Sequence, residues 1–301
     1  MNDKYLIVIA GPTASGKTAT AITIAKALKT VIISADSRQF YREIPIGTAA
    51  PTREELSEVE HYMIHNLSIE DRYDVADYEQ DVLLLLKQLF MSYDTVVMTG
   101  GSGLFIDAVC NGLDSIPDIS EETRNRVNDL YEKGGVVALQ NELQHLDPEY
   151  YEIVDKQNPR RLQRAIEVCY QTGLPYSSFR KNNTKERDFK IIKLALLWER
   201  NELITRINKR VENMISDGLV EEARSVYHKR NLNSLNTVGY KEMFQYFDGD
   251  ISLNEAIEQI KISTRQYAKR QMTWLRKNND YHWFSIDEIP KMIEYIQSVI
   301  N

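Results

Sequence analysis

The sequence is poor in cysteine, with only Cys110 and Cys169 in 301 residues. Two cysteines exclude a cysteine-rich zinc site and a disulfide framework. The chain also lacks any apolar run near the roughly 20 residues that a membrane-spanning helix needs. Its start, MNDKYLIVIAGPT, leads directly into an apolar strand and offers no signal peptide. We therefore expect a reduced, cytoplasmic protein that does not enter a membrane.

An excess of positive charge is absent as well, because the net charge is −7. That value alone argues against a polyanionic partner, but the basic residues are unevenly distributed. Residues 261–277, KISTRQYAKRQMTWLRK, hold six basic side chains and no acidic one, and residues 158–187 hold seven against two. A polyanion responds to such local patches more than to net charge. A nucleic-acid partner therefore stays possible. The alternative is that both basic runs are ordinary helix faces exposed to solvent.

Apolar segments without period-2 alternation occur four times, within YLIVIAG, KTVIISADSRQ, DTVVMTGG and FKIIKLALLWER. A strand that is apolar at every position is buried on both sides, which is typical of a parallel sheet covered by helices. Helical segments follow these strands. The pattern predicts an α/β fold with a parallel sheet.

Residues 113–189 differ from the rest, because they are polar, helical and without convincing strand signals. One helix is predicted between Ser120, followed by glutamates, and Gly134; a second lies between Pro159 and Gly173. We predict an inserted helical domain at 113–189. The core then comprises 1–112 and 190–301, with helices from 200 to 278.

A phosphate-binding loop is predicted between the first strand and the first helix, where the sequence fits G-x-x-x-x-G-K-[ST]. Backbone N–H groups of such a loop point at phosphate oxygens, while Lys17 neutralises charge and the Thr18 hydroxyl can ligate Mg²⁺. The predicted phosphate-binding residues are Gly11, Pro12, Thr13, Ala14, Ser15, Gly16, Lys17 and Thr18. The motif predicts a P-loop kinase-like core without specifying the ligand.

Other strand ends carry polar groups where parallel sheets bind ligands. Asp36 follows the second strand, residues 100–103 (GGSG) follow the third, and Arg206 and Arg210 lie four apart after the fourth. A carboxylate there can act as a base, and an arginine pair can cover phosphates. The alternatives are that Asp36 caps a turn, that the glycines form a simple tight turn, and that the arginines are solvated.

Two further features limit the function. Thr99 stands where a Walker-B strand would end in Asp, which disfavours a nucleotide-hydrolysing motor. His61 and His65 lie four apart, but no cysteine or further histidine accompanies them, so we predict no metal site there. Trp274 and Trp283 are predicted to lie in the core.

The motifs GPTASGKT, SADSRQ.Y, IGTA.PT, GGSGL, P.RL.RA.EV, RI..R, VGY.E and KRQ.TWLR occur in this order between about residue 5 and residue 284. With them the sequence resembles the tRNA dimethylallyltransferase family. The resemblance implies that the P-loop holds the diphosphate of dimethylallyl diphosphate. It also implies that the prenyl group passes to the exocyclic amine of the adenosine on the 3′ side of the anticodon.

The same resemblance implies residue roles. Asp36 matches the general base, Ser102 keeps a hydroxyl where Thr is usual, and Arg210 matches the second arginine of R-I-x-x-R. Two departures are Ala50, where many members have Lys, and Phe105, where Tyr is common. The implied tRNA contacts are Asp36, Ser37, Arg38, Gln39, Ser102, Arg124, Arg160, Arg161, Leu162, Gln163, Arg164, Asn236, Thr237, Val238, Gly239, Tyr240, Lys241, Lys269, Arg270 and Arg276.

The expected partners are a tRNA anticodon stem-loop and dimethylallyl diphosphate, with Mg²⁺ held through Thr18; we expect a monomer. The alternative is a small-molecule kinase that uses ATP in the same loop. It explains the P-loop and the arginines, but not the basic runs. A third possibility, a nucleotide-dependent RNA-binding switch without chemistry, is disfavoured by Asp36 at a strand end.

Overall fold

The computed structural model describes residues 3–180 and 184–300, and its centre is a parallel sheet. The strands are β1 (Tyr5–Ala10), β2 (Ile32–Ser34), β3 (His61–Tyr62), β4 (Thr95–Gly100), β5 (Lys190–Leu197) and β6 (His282–Ser285). Their order is β3-β2-β4-β1-β5-β6, and each neighbouring pair runs parallel. The carboxyl ends of all the strands therefore meet at one edge of the sheet.

Strand β1 shows why the central strands are apolar at every position. Leu6 and Val8 pack into one core layer, whereas Ile7 and Ile9 pack into the layer on the opposite face. Because helices cover both faces, neither set of side chains can be polar. The predicted α/β class with a parallel, P-loop kinase-like sheet is confirmed.

The helices alternate with the strands, with longer helical stretches between β4 and β5 and between β5 and β6. Among the described residues, no helix combines the length and the apolarity that crossing a bilayer requires. The helices are α1 (Lys17–Leu28), α2 (Pro45–Thr48), α3 (Arg53–Glu58), α4 (Val75–Leu89), α5 (Gly103–Asn111), α6 (Glu121–Leu146), α7 (Pro148–Ile153), α8 (Pro159–Thr172), α9 (Arg200–Ser216), α10 (Leu219–Val226), α11 (Tyr240–Asp248), α12 (Leu253–Lys277) and α13 (Ile289–Ile300).

The chain divides into two compact units, one extending to Cys110 and resuming at Arg187, the other spanning Asn111–Glu186. The second boundary lies earlier than the predicted one at 189/190. Arg187 belongs to the sheet unit because its guanidinium pairs with Glu79 at 2.8 Å and donates to the Val109 carbonyl at 2.9 Å. This ion pair is almost fully buried.

The second unit is helical and has its own core. Ser120 caps α6 and Asn158 caps α8, each through a side-chain oxygen that accepts a backbone N–H three residues on. The first predicted helix does not end at Gly134. The helix breaks at Gly135, where φ is 61°, and then continues to Leu146. Leu162 on α8 is fully buried in this core, so its predicted contact with tRNA could involve only its backbone.

The edge strands β3 and β6 were not predicted. They have only two and four residues, and their side chains are partly exposed or exposed. Such short segments carry no continuous apolar run, so only pairing with β2 and β5 defines them. Trp274 and Trp283 are partly buried against the core of the sheet unit, where they were expected.

Candidate active site

A cavity of about 1270 Å³ lies within the sheet unit, at the carboxyl ends of its strands. Residues 13–18 of the P-loop and Asp36 line it from the sheet side, and Arg210 lines it from α9. Residues 237–239, ahead of α11, line it as well. The fold therefore brings together groups that are up to about two hundred residues apart in the chain. Ser102 is buried and lies beside Ser37 rather than in the cavity lining.

The shape of the P-loop is defined by its glycine and by hydrogen bonds from neighbouring side chains. Gly16 has a φ of 85°, a left-handed conformation that glycine adopts without strain. The Ala14 carbonyl accepts from Arg206 Nε at 2.8 Å, and the Ser15 carbonyl accepts from Trp198 Nε1 at 2.9 Å. Arg206 therefore holds the loop backbone through Nε while its side chain lines the cavity, and a contact with a phosphate stays a prediction.

Two cations and one carboxylate meet beside the loop. The Lys17 ammonium donates to the Pro12 carbonyl at 2.7 Å. Burial and the neighbouring Arg210 lower the pKa of Lys17 to about 7, although Asp36 opposes the shift. Burial also lowers the pKa of Arg210, again opposed by Asp36 and by Glu55. Both cations lie where water solvates them poorly, so an anionic ligand would stabilise their charge.

Asp36 directly follows the β2 end of the sheet. Its Oδ1 accepts a hydrogen bond from the Arg38 N–H at 3.1 Å. This is the bond expected if Asp36 caps a turn, the alternative to a catalytic role. Within the described residues no hydrogen bond reaches its Oδ2. The capping bond therefore leaves one carboxylate oxygen for a ligand, and a capping role is compatible with a catalytic one.

Ser102 is positioned by the backbone of the neighbouring strand end. Its Oγ accepts from the Ser37 N–H at 3.0 Å, and its hydroxyl lies 3.1 Å from Ser37 Oγ. Tyr267, from α12, lies beside Ser102 and Asp36. Burial and the Asp36 carboxylate raise the pKa of Tyr267 to about 12, although the Ser102 hydroxyl opposes the shift. The phenol is therefore protonated near neutral pH.

Arg38 and Gln39, which were predicted to contact tRNA, form hydrogen bonds with backbone carbonyls of the protein itself. Arg38 Nη1 donates to the Asn233 and Ser234 carbonyls at 3.2 and 3.1 Å. Gln39 Nε2 donates to the Ala49 carbonyl at 3.1 Å. Both side chains shape the cavity wall, and any contact with tRNA stays a prediction.

The segment from Asn236 to Lys241, also predicted to contact tRNA, contains both cavity-lining residues and a buried one. Thr237, Val238 and Gly239 line the cavity. Tyr240 is fully buried and its hydroxyl donates to the Glu222 carboxylate, so its predicted contact with tRNA could involve only its backbone.

Helix α12 presents different residues on opposite sides. Lys269, Arg270 and Arg276 are exposed, as contacts with a polyanion require. Gln271, within the same motif, is buried and bonds the P-loop backbone. The helix is therefore both a surface and a wall of the cavity.

The second unit gathers another basic set. Arg124 on α6 and Arg164 on α8 lie close to Glu167, whose pKa burial raises and the two arginines lower. Arg160 and Arg161 are exposed at the start of α8. Gln163 Nε2 donates to Asn128 Oδ1 at 3.2 Å, which ties α8 to α6.

Sequence reasoning missed Tyr267 and Lys209, which line the cavity, and the inward direction of Gln271. The spacing of Thr264, Tyr267 and Gln271 is i, i+3 and i+7, which places them on one helix face. That signal was present, but the charges of the neighbouring basic run obscured it.

These features define a P-loop α/β protein in which two buried cations and a carboxylate surround one cavity. The chain matches the family model described as IPP transferase over residues 39–278. It is 51% identical to tRNA dimethylallyltransferase 1 of Phocaeicola vulgatus over 98% of each chain. The chain therefore belongs to the IPP transferase family, a family of prenyltransferases, and the predicted resemblance is confirmed.

Solved structures agree with this assignment. The crystal structure of the full-length tRNA isopentenylpyrophosphate transferase from Bacillus halodurans is 34% identical, with a TM-score of 0.73 over 99% of this chain and 97% of that one. A eukaryotic dimethylallyltransferase acting on tRNA shares the fold, with a TM-score of 0.78 at 24% identity over 94% of this chain and 74% of that one.

Proposed function

We propose that this chain transfers the dimethylallyl group from dimethylallyl diphosphate to N6 of the adenosine on the 3′ side of the tRNA anticodon. The observation that carries the proposal is the meeting of Lys17, Arg210 and Asp36 around the P-loop. Two cations suit a diphosphate, and a carboxylate suits a reacting amine. The kinase alternative is not favoured, because the family and the relatives are prenyltransferases.

In the reaction, the N6 lone pair attacks C1 of the dimethylallyl group while the C1–oxygen bond breaks. Diphosphate leaves with the bonding electrons, and the N6 proton passes to Asp36. The amine is a poor nucleophile because its lone pair is delocalised into the ring, so a positioned base assists it. Lys17 and Arg210 stabilise the charge that develops on the leaving diphosphate.

The donor set fits a magnesium ion at Thr18. The Thr18 side chain lies in the first turn of α1 and lines the cavity beside Lys17. Among the described residues, no group of three or more His, Cys, Asp or Glu side chains could hold a metal ion. Mg²⁺ keeps several waters and binds substrate phosphates with few protein ligands, so one hydroxyl from the protein is compatible with its coordination. When bound, it would neutralise charge on the diphosphate.

The target base must leave its stack to reach a cavity at the sheet edge. Each unit carries its own basic set for the RNA backbone: Lys269, Arg270 and Arg276 on α12, and Arg124, Arg160, Arg161 and Arg164 on α6 and α8. We propose that both sets contact the anticodon stem-loop. A monomeric state and a cytoplasmic location stay predictions.

The test is mass spectrometry of tRNA nucleosides after incubation with dimethylallyl diphosphate and Mg²⁺. We expect N6-isopentenyladenosine to appear, and a stem-loop with guanosine at the target position to stay unmodified. A parallel incubation with ATP tests the kinase alternative. Phosphoryl transfer near 1 s⁻¹, about the lower end of kinase rates, without prenylation would overturn the proposal.

A further inference from the structure

Gln271 connects two loops of the candidate active site. Its Oε1 accepts from the Thr13 N–H of the P-loop at 2.8 Å. Its Nε2 donates to the Gly101 carbonyl at 2.9 Å. The side chain is only 7% exposed, so neither bond competes freely with water. One amide therefore joins the P-loop to the loop that carries Ser102.

The space around this amide is closed. A Cβ on Gly101 would lie 2.2 Å from Gln271 Nε2, well inside van der Waals contact. Glycine at 101 thus permits the close approach of α12. Because the Thr13 N–H is engaged by Gln271, it is not available to a bound phosphate. Thr13 then contributes to the P-loop through its position rather than through its amide.

We propose that Gln271 is a positioning residue for the prenyl transfer, one that holds the diphosphate-binding loop in register with Ser102. It acts through the Thr13 amide and the Gly101 carbonyl and does not touch the substrate. The role of Gln271 in prenyl transfer rests on the proposed function. Its role in positioning the P-loop does not depend on that function.

The position between the Thr13 N–H and the Gly101 carbonyl requires a neutral amide. Thr13 presents a donor and Gly101 presents an acceptor, so the bridging side chain must accept at one end and donate at the other. Gln271→Glu keeps an acceptor for Thr13, but it sets a carboxylate oxygen against the Gly101 carbonyl and adds negative charge near the diphosphate. Gln271→Met keeps the length and loses both bonds.

The experiment measures three properties of Gln271→Met, Gln271→Glu and the control Gln266→Met. Gln266 is exposed on the same helix, so its substitution changes a glutamine outside the site. Calorimetric titration with inorganic diphosphate and Mg²⁺ gives Kd, thermal unfolding gives Tm, and single-turnover kinetics with tRNA give the rate at saturating donor.

For both Gln271 variants we expect diphosphate Kd to rise by about tenfold, the consequence of a lost buried bond. We expect the saturated rate to fall by about tenfold or more, because small displacements of reacting groups are costly. The control should match the wild type in both.

A merely structural role predicts a lower Tm with unchanged Kd and unchanged saturated rate in the folded variants, and that result would overturn the inference. If Gln271→Met does not fold, Gln271→Leu, which also loses both bonds without adding charge, decides by the same criteria. If the wild type prenylates no tRNA, the proposed function fails, while the diphosphate titration still tests the hold of Gln271 on the P-loop.

Discussion

The guanidinium of Arg210 lies close enough to the ammonium of Lys17 to destabilise its charged form. Burial and this repulsion together bring the pKa of Lys17 to about 7, far below its ordinary value. Asp36 lies near both and compensates only in part. The site is thus arranged for an anion that is absent in the free protein, and the consequences can be measured.

The affinity for the diphosphate should fall as pH rises above 7. An anion favours the ammonium form of Lys17, and the free protein loses that proton near pH 7. Above this value, binding requires proton uptake, which weakens affinity by about tenfold per pH unit. Calorimetric titration with inorganic diphosphate between pH 6 and pH 9 measures the effect.

Lys17→Met is the matched control for that titration, because it removes the ionisable group while the ligand's own protonation remains. Its Kd should be weaker at pH 6 and should show only the ligand's own pH dependence. An equal pH dependence in the variant and the wild type would assign the whole effect to the ligand.

Asp36→Ala should fold, bind tRNA and bind diphosphate, yet react at least ~100-fold more slowly, the lower end of general-base contributions. Losing the bond to the Arg38 N–H should also cost roughly 1 kcal/mol of stability. Thermal melts and single-turnover kinetics on the same variant separate the two effects. A near-normal single-turnover rate would reduce Asp36 to a turn cap.

Tyr267→Phe should slow prenyl transfer about fivefold at saturating donor, the value of one ordinary hydrogen bond. The variant keeps the ring and loses the phenol beside Ser102 and Asp36. Single-turnover rates measure the loss, and Tyr246→Phe, on α11 outside the cavity lining, is the control. An unchanged rate would leave Tyr267 as a wall of the cavity only.

Lys269→Ala and Arg161→Ala should each weaken tRNA binding and reduce its salt dependence, by a slope near ~1 per lost phosphate contact. Diphosphate affinity should stay constant. Lys291→Ala, on α13 outside both basic runs, is the control. Unaltered slopes in both variants would return the two runs to ordinary solvated surface.

Arg187→Met should destabilise the sheet unit by about 3–5 kcal/mol, because it removes the guanidinium that is paired with the buried Glu79 carboxylate. Lys190→Met removes an exposed ion pair with Asp3 in the same region, and it should destabilise the protein far less because water screens that pair. Chemical denaturation compares them. Similar losses of unfolding free energy in both variants would mean that the buried Arg187–Glu79 pair stabilises the protein no more than the exposed pair does.

Local patterns in the sequence were sufficient for the central sheet and the P-loop. Continuous apolar strands, the glycine-containing loop with Lys17 and Thr18, and capped helices after Ser120 and Asn158 are each determined by a few adjacent residues. Such features form wherever backbone geometry and burial agree locally. The strand-end position of Asp36 follows from the same reasoning.

Tertiary structure decided what depends on residues far apart in the chain. Strand β6 exists only through pairing with β5, and the burial of Leu162 and Tyr240 follows from packing between helices rather than from the motifs that contain them. The lowered pKa of Lys17 comes from burial and from Arg210, almost two hundred residues away. Gln271 lies among basic residues in the sequence, yet it turns inward to the P-loop, because a helix directs successive residues to different sides.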